Sequence, residues 1–391
     1  MQIAAEHKAA QAAACGGEQP CFDKSWSDDQ VMAEVSRVAR GPLAAAAYRI
    51  DQEHLYPREL MGELGRAGAF AAALDAGGQR FVLGLDAMRE ISRSCGATGF
   101  LTWAHDVCGM YMEQSGNPAL TGQRLQDHML GRSFGGTALS NPMKALAGIE
   151  PMQLKAEPVP GGYLVSGALP WVSHIAKGQY CGAIATVSKS DGSRSHEIMF
   201  LLDIGEEVGL RPCPVFSGME GTSTWAVRLD KYFVGQDLLI ADPVAPFLKR
   251  IRAAFVLLQV GMAAGVAQGA IESMLEVEPM LGHVNQYLSD RPDVLQAEYD
   301  DLWTRAARLA QTPYEDSKDF LLEVLDLRAQ GGEFVLRAAN SALMHQGARG
   351  YLMQSPVQRR VREAQFVAIV TPAVKHLRWE MARLSQEEVP A

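Results

Sequence analysis

Gly162-Tyr163-Leu164-Val165-Ser166-Gly167, continuing through Ala168-Leu169-Pro170 to Trp171-Val172-Ser173, is the stretch on which the reading of this chain turns. Aromatic and β-branched residues fill it, and turn-forming residues stand on both sides, which predicts a strand. Similar runs occupy residues 180–187, 197–202 and 223–229. Gly, Pro and Ser punctuate the intervals, so residues 131–245 read as a small β-barrel or sheet domain rather than as βαβ units. Helical periodicity takes over on either side. Residues 28–49, a helix opened by Pro57, and residues 82–104 running into His105 predict an N-terminal helical domain over 22–130. Tracts at 246–278, 292–310, 317–343 and 372–385 predict a C-terminal four-helix bundle over 246–391, with a loop at 347–356. The fold class is therefore α+β and multi-domain, with residues 1–21 read as a flexible tail.

Bulk properties narrow the function. The net charge of −9 carries no domain-wide basic character, so nothing points to nucleic acid. A local basic patch could still take an anionic ligand such as coenzyme A. Six cysteines in 391 residues, with no C-x-x-C pair, read as buried free thiols of a cytoplasmic protein. The N-terminus lacks the apolar core of a secretory signal. Residues 251–271 are apolar but contain Arg252, Gln259 and Gln268, so they read as a buried bundle helix and not a membrane span. There is no Walker A loop, no dinucleotide G-x-G-x-x-G in a strand-to-helix turn, no G-x-S-x-G elbow and no H-E-x-x-H.

Several stretches, in order and spacing, resemble the acyl-CoA dehydrogenase family over roughly residues 30–385. Leu139-Ser140-Asn141-Pro142 is similar to its Ser/Thr-Glu-Pro turn, and Gly162 through Ser173 to its strand ending Trp-Ile/Val-Thr/Ser. Gly218-Met219-Glu220-Gly221-Thr222-Ser223-Thr224 resembles its closing strands, and Gly265 through Glu272 its helix of small residues. Gly347-Ala348-Arg349-Gly350-Tyr351, then Pro356 through Ala364, is similar to its Gly-Gly-x-Gly-Tyr…Pro-Val-x-Arg-x-x-Arg-Asp-Ala stretch. The resemblance implies FAD, or FMN, with Trp171 against the flavin ring and Ser173 offering its hydroxyl to flavin N5. It places Leu139 and Ser140 at the pyrimidine end and Gly347 and Gly350 at the glycine-rich cofactor loop. It also implies a homodimer or homotetramer acting on an acyl thioester, with an electron-transfer flavoprotein or a flavin reductase as partner.

The sequence departs from that pattern at the base. The family removes an α-proton with a glutamate, but counting forward from Arg362-Glu363-Ala364 puts Thr371-Pro372-Ala373 there. The alternative position on the long helix falls on Ile251 or Phe255. The family's Arg-x-x-Phe-Gly has no counterpart near residues 278–286, and Met344 replaces a glutamine. Three readings follow. The first is dehydrogenation with a displaced base, for which His105 and His376 are candidates because imidazole titrates near neutrality. The second is a two-component flavin monooxygenase using Ser173, His105 and His376, which needs no glutamate. The third is a binding or scaffold paralogue. Dehydrogenation leads, because the strand pattern follows the dehydrogenases. Arg252 and Phe255 are the candidate substrate contacts, and no metal site is expected.

Overall fold

The computed structural model describes residues 21–74, 77–188 and 193–386. The expected tail, Cys21 apart, lies outside them. The helical N-terminal region comprises α1 (Asp28–Val38), α2 (Ala44–Gln52), α3 (Arg58–Arg66), α4 (Phe81–Ser94), α5 (Gly96–Gln114), α6 (Pro118–Thr121) and α7 (Gln123–Met129). Helix α1 starts at a capping box: Ser27 Oγ accepts from the Gln30 amide, while the Ser27 amide donates to Gln30 Oε1.

The helix expected to run unbroken into His105 is two helices. Cys95 is extended at the break. The new N-terminus at Gly96 is capped from far along the chain: its amide donates to Glu363 Oε1 at 2.9 Å. A Cβ on Gly96 would sit 2.7 Å from that carboxyl carbon. Local periodicity cannot show a boundary whose cap lies 267 residues away.

The middle region is an eight-stranded mixed sheet: β1 (Gly135–Thr137), β2 (Leu154–Val159), β3 (Gly162–Val172), β4 (Tyr180–Ser188), β5 (Arg194–Asp203), β6 (Gly209–Pro212), β7 (Trp225–Gly235) and β8 (Leu239–Ala241). The order is β6-β7-β3-β2-β4-β5-β8, with β1 added parallel to β4. Among the described residues nothing pairs β6 with β8, so this is an open sheet and not a closed barrel. It encloses its own apolar core, including Leu154, Val165, Phe200 and Val234. Ser140 begins a helix, α8 (Ser140–Leu146), where the sequence suggested only a turn.

The C-terminal region contains α9 (Ala245–Leu275), α10 (Glu278–Asn285), α11 (Pro292–Leu309), α12 (Lys318–Gln346), α13 (Pro356–Ile369) and α14 (Val374–Gln386). Helix α9 is long and apolar enough to cross a membrane, but 89% of its most apolar window is buried inside this chain. It packs on α12 and α13 from its own region and on α4 and α5 from the N-terminal one.

The cysteine reading needs a correction. Cys95, Cys108, Cys181 and Cys213 are free, the first three buried, but Cys21 is disulfide-bonded.

Small residues let α9 approach α4. A Cβ on Gly265 would lie 2.3 Å from the Arg89 carbonyl oxygen and 2.5 Å from Ser92 Cβ. Gly→Ala in a helix interior normally stabilises by about 1 kcal/mol. Here backbone on both helices would have to separate. Gly265→Ala is therefore expected to destabilise the protein by about 1–3 kcal/mol, read as a lower urea midpoint at unchanged slope.

Candidate functional site

The end of β3 and the start of α8 face each other across a cleft of about 230 Å³. Leu169, Pro170, Trp171 and Val172 form one wall; Ser140, Asn141, Lys144 and Glu150 belong to the other. Trp171 is 55% exposed, with Phe216 edge-on at 6.4 Å between ring centroids. An indole left this open at a cleft lip is a large flat apolar surface without a cover. Asn141 fixes the far wall. Its amide nitrogen donates to Glu150 Oε1 and the Pro151 carbonyl, and its oxygen accepts from the Gln153 amide. Lys144 pairs with Glu150 at 2.9 Å. Burial opposes ionisation of Glu150, yet Lys144 and Asn141 hold its pKa below the usual carboxylate value.

Ser173 is half-buried just past the strand, and its hydroxyl is 2.7 Å from Thr224 Oγ1. It does not line the cleft proper, nor does Leu139, which is buried beneath Ser140. Gly347 and Gly350 lie elsewhere. Their neighbour Gln346 donates to the Ser273 carbonyl, whereas Gln259 reaches the Thr371 loop. Those two positions on α9 are about 21 Å apart at 1.5 Å per residue. One chain does not bring the glycine loop to the cleft.

Thr371 does come to the cleft. Its Oγ1 is 3.2 Å from Ser140 Oγ, and its carbonyl accepts from Gln259 Nε2 at 2.9 Å. Gln259 Oε1 in turn accepts from Arg328 Nε at 2.9 Å, and Arg328 also donates to the Val367 carbonyl. Arg328 is fully buried, and burial depresses its guanidinium to about 10. Among the described residues no carboxylate stands within ion-pairing distance of it. This inner chain of Arg328, Gln259 and Thr371 was missed by sequence reasoning. The available signal was two polar residues inside long apolar helices.

Neither glutamate position supplies a base. Thr371 carries only a hydroxyl. Phe255 is buried against Trp103, rings 5.2 Å apart, and Trp103 donates to the Phe255 carbonyl. Ile251 is buried beside it. Arg252, expected to face a ligand, is paired with Glu380 at 3.1 Å.

The two candidate histidines differ. His105 stacks on His128 with ring centroids 3.5 Å apart. The Gly135 amide donates to its Nδ1, so Nε2 carries the hydrogen and donates to the His128 carbonyl. His128 Nε2 donates to the His105 carbonyl, and its Nδ1 accepts from Tyr180. Every ring nitrogen is used, and both rings are fully buried and neutral. Burial drives His105 down to about 3 and His128 well below its ordinary value. His105 is a structural histidine here and has no nitrogen free to serve as a base. A third buried ring joins them: His174 follows Ser173, sits in left-handed backbone at φ 61°, and bonds Tyr56. His376 is buried beside Trp379 with Nδ1 unpartnered. Burial lowers its pKa; Glu380 opposes that, and the charges of Arg252 and Lys144 reinforce it. Among the described residues no His/Cys/Asp/Glu cluster could hold a metal.

Residues 27–131 match the family model for the acyl-CoA dehydrogenase N-terminal domain. The match continues through the fold. The glutaryl-coenzyme A dehydrogenase in its glutaryl-CoA complex superposes with a TM-score of 0.82 at 21% identity, over 94% of this chain and 97% of that one. Residues 27–131 of this chain are an acyl-CoA dehydrogenase N-terminal domain, and the chain as a whole shares the fold of the solved acyl-CoA dehydrogenases. Among its relatives is the mitochondrial isovaleryl-CoA dehydrogenase of Oryza sativa subsp. japonica, 24% identical over 369 residues, 88% of this chain and 87% of that protein. The same fold also serves a dibenzothiophene monooxygenase from Paenibacillus sp. A11-2, with a TM-score of 0.75 and 15% identity over 92% of this chain and 98% of that one. That monooxygenase is also solved with FMN bound. The relatives it resembles are acyl-CoA dehydrogenase-type enzymes, and this chain carries Thr371 and Phe255 where that resemblance looks for the catalytic glutamate.

The histidine stack has a pH signature. A ring whose folded pKa is about 3 and unfolded pKa about 6.5 contributes stability above the unfolded value, lost as pH falls toward the folded one. At pH 5 the loss from His105 alone is about 2 kcal/mol relative to pH 7. Urea unfolding at the two pH values should show it, and His105→Asn should flatten the dependence by that amount. In the inner chain, Gln259→Leu strips partners from Arg328 and Thr371 together. A destabilisation of about 2–4 kcal/mol is expected in the same assay.

Proposed function

We propose that this protein is a flavin-dependent oxidoreductase whose isoalloxazine ring rests at the Trp171–Ser140 cleft, and that its chemistry proceeds without a carboxylate base. The observation that carries this reading is the pairing of a preserved ring site with two baseless positions. An exposed indole offers the flat apolar face a tricycle needs. Ser140 lines the cleft, and the hydroxyl of Ser173 stands just past the strand end. The cleft is smaller than the roughly 300–1,000 Å³ typical of whole small-molecule sites, which suits the ring end of the cofactor better than all of FAD. The adenosine end would need residues from a second copy, because the anchor of the Gly347–Gly350 loop on α9 is about 21 Å from that of Thr371. FMN needs no such help.

A bound flavin supplies two-electron redox chemistry and, when reduced, reaction with dioxygen. The chain's own residues then decide the outcome. With Thr371 and Phe255 at the base positions, neither offers a carboxylate to take an α-proton, and Glu150, the carboxylate that lines the cleft, is engaged by Lys144 and Asn141. Oxygenation of a small-molecule substrate by flavin delivered from a reductase is the reading this favours. Dehydrogenation of an acyl thioester is the second, and His376 is what favours it. A neutral imidazole with an unpartnered Nδ1 is competent to accept a proton at neutral pH.

Anaerobic mixing separates the two. Under oxygenation, acyl-CoA thioesters of varied chain length leave the protein's bound flavin oxidised, while reduced flavin plus oxygen consumes a co-substrate. Bleaching by a thioester, abolished in His376→Gln, would establish the dehydrogenase instead. Trp171→Ala should weaken flavin binding at least about tenfold in either case, measured by fluorescence titration with FAD and FMN. Unchanged affinity would remove the ring from this cleft.

A further inference from the structure

Helices α9, α11 and α12 enclose a second cavity, of about 20 Å³. Val260 and Ala263 line it from α9, Leu302 from α11, and Leu327, Gly331 and Phe334 from α12. All six are buried. The polar groups on its lining side chains are the Tyr299 hydroxyl and the Trp303 indole N–H. A buried water needs about 10–15 Å³ and usually makes about three hydrogen bonds, so the space admits one small molecule and suits an apolar one better than water. Ala264 and Trp303 are the half-buried residues of the lining, which puts the way in from solvent past the Trp303 indole. The Arg89 guanidinium covers that ring, 4.4 Å from its centroid.

The cavity is kept open against the preference of the helix. Two adjacent glycines stand in the interior of α12, where glycine is among the least favourable residues. Gly332 has a steric reason: a Cβ there would lie 2.8 Å from Val374 Cγ2 and 2.9 Å from Arg328 Nη1. Gly331 does not. Outside its own helix, and among the described residues, a Cβ there would meet only Ala263 Cβ, at an ordinary 3.8 Å. Alanine would fit at this position and favour the helix, and its methyl would take up the cavity. What glycine preserves at 331 is the empty space.

The cavity stands close to the proposed chemistry. Val260 follows Gln259 and Leu327 precedes Arg328, so it lies at the level of the inner chain that ends at Thr371. One helix diameter, about 10–12 Å, separates it from the turn that reaches the cleft. We propose that this cavity is a dioxygen site that supplies the flavin cleft. This rests on the flavin reading above, in which reduced flavin meets oxygen. Dioxygen is small, uncharged and apolar, which matches both the volume and the walls. Without a co-substrate, the reaction supplied is simple. Dihydroflavin passes two electrons and two protons to dioxygen, leaving oxidised flavin and hydrogen peroxide.

Dissolved oxygen is paramagnetic and shortens the relaxation of methyl groups beside it. Under oxygen pressure, the full-length protein is expected to show stronger relaxation at the methyls of Val260 and Leu327 than at equally buried methyls such as those of Ile91. Crystals pressurised with xenon should show a peak between α9, α11 and α12. Gly331→Ala should abolish both signals while raising the urea midpoint. With FMN or FAD bound and reduced anaerobically, reoxidation by oxygen should slow at least about threefold in that variant, at unchanged flavin affinity, because the local supply is gone. Relaxation no stronger than at other buried methyls, or a missing xenon peak, overturns the inference and leaves the flavin site standing. A lowered urea midpoint overturns it too, since Gly331 would then serve packing. So does an unchanged reoxidation rate in a variant that has lost its xenon peak. Failure of every flavin to bind sinks the flavin reading and the supply role with it, while the relaxation measurement still decides whether dioxygen enters.

Discussion

Helix α9 constrains everything else in this molecule. It is apolar around most of its circumference and 31 residues long, so no single layer can cover it. Helices α12 and α13 cover one side from the same end of the chain, while α4 and α5 cover another from the opposite end. The sheet, inserted between these halves in sequence, is left at their flank. The cleft between β3 and α8 lies on that flank. It opens where the sheet's β3 meets α8, and Thr371, on the turn after α13, reaches it because Gln259 of α9 holds its carbonyl.

The same geometry explains a polar line through an apolar bundle. A buried guanidinium without a carboxylate is costly, and the cost is contained only by satisfying its hydrogens. Arg328 meets that cost in part: Nε donates to Gln259 and Nη2 to the Val367 carbonyl, Nη1 is left without a partner, and Gln259 passes the connection to Thr371. The position that carries a glutamate in the family is therefore occupied here by a residue anchored through its backbone. By contrast, Arg362 meets Asp51 in a buried bidentate pair, and Arg359 meets Glu363 and the Ser94 carbonyl. The basic cluster of α13 is interdomain mortar rather than a phosphate site.

The helix–sheet–helix order was legible because each region has its own periodicity, and turn residues mark where one gives way to another. Trp171 and Ser140 at the cleft were legible through the resemblance. What stayed hidden was set by tertiary contacts. The break at Cys95 depends on Glu363. The neutrality of His105 depends on a ring 23 positions later, and no local pattern shows that stack. The role of Gln259 was obscured because a lone polar residue in an apolar helix reads first as an argument against a membrane span. His174 gave no signal at all: its left-handed backbone is imposed by the 219–224 segment packed against it.

The close seat of Gly265 on the Arg89–Arg93 turn has a consequence for how the protein is made. The apolar face of α4 waits for a partner that lies about 170 residues downstream. At a translation rate of roughly 5–20 residues per second, that face stands uncovered on the ribosome for about 10–30 s. The N-terminal helices emerge first but are finished late, so the nascent chain offers a folding helper or an aggregate a long window on a surface that the mature protein never shows.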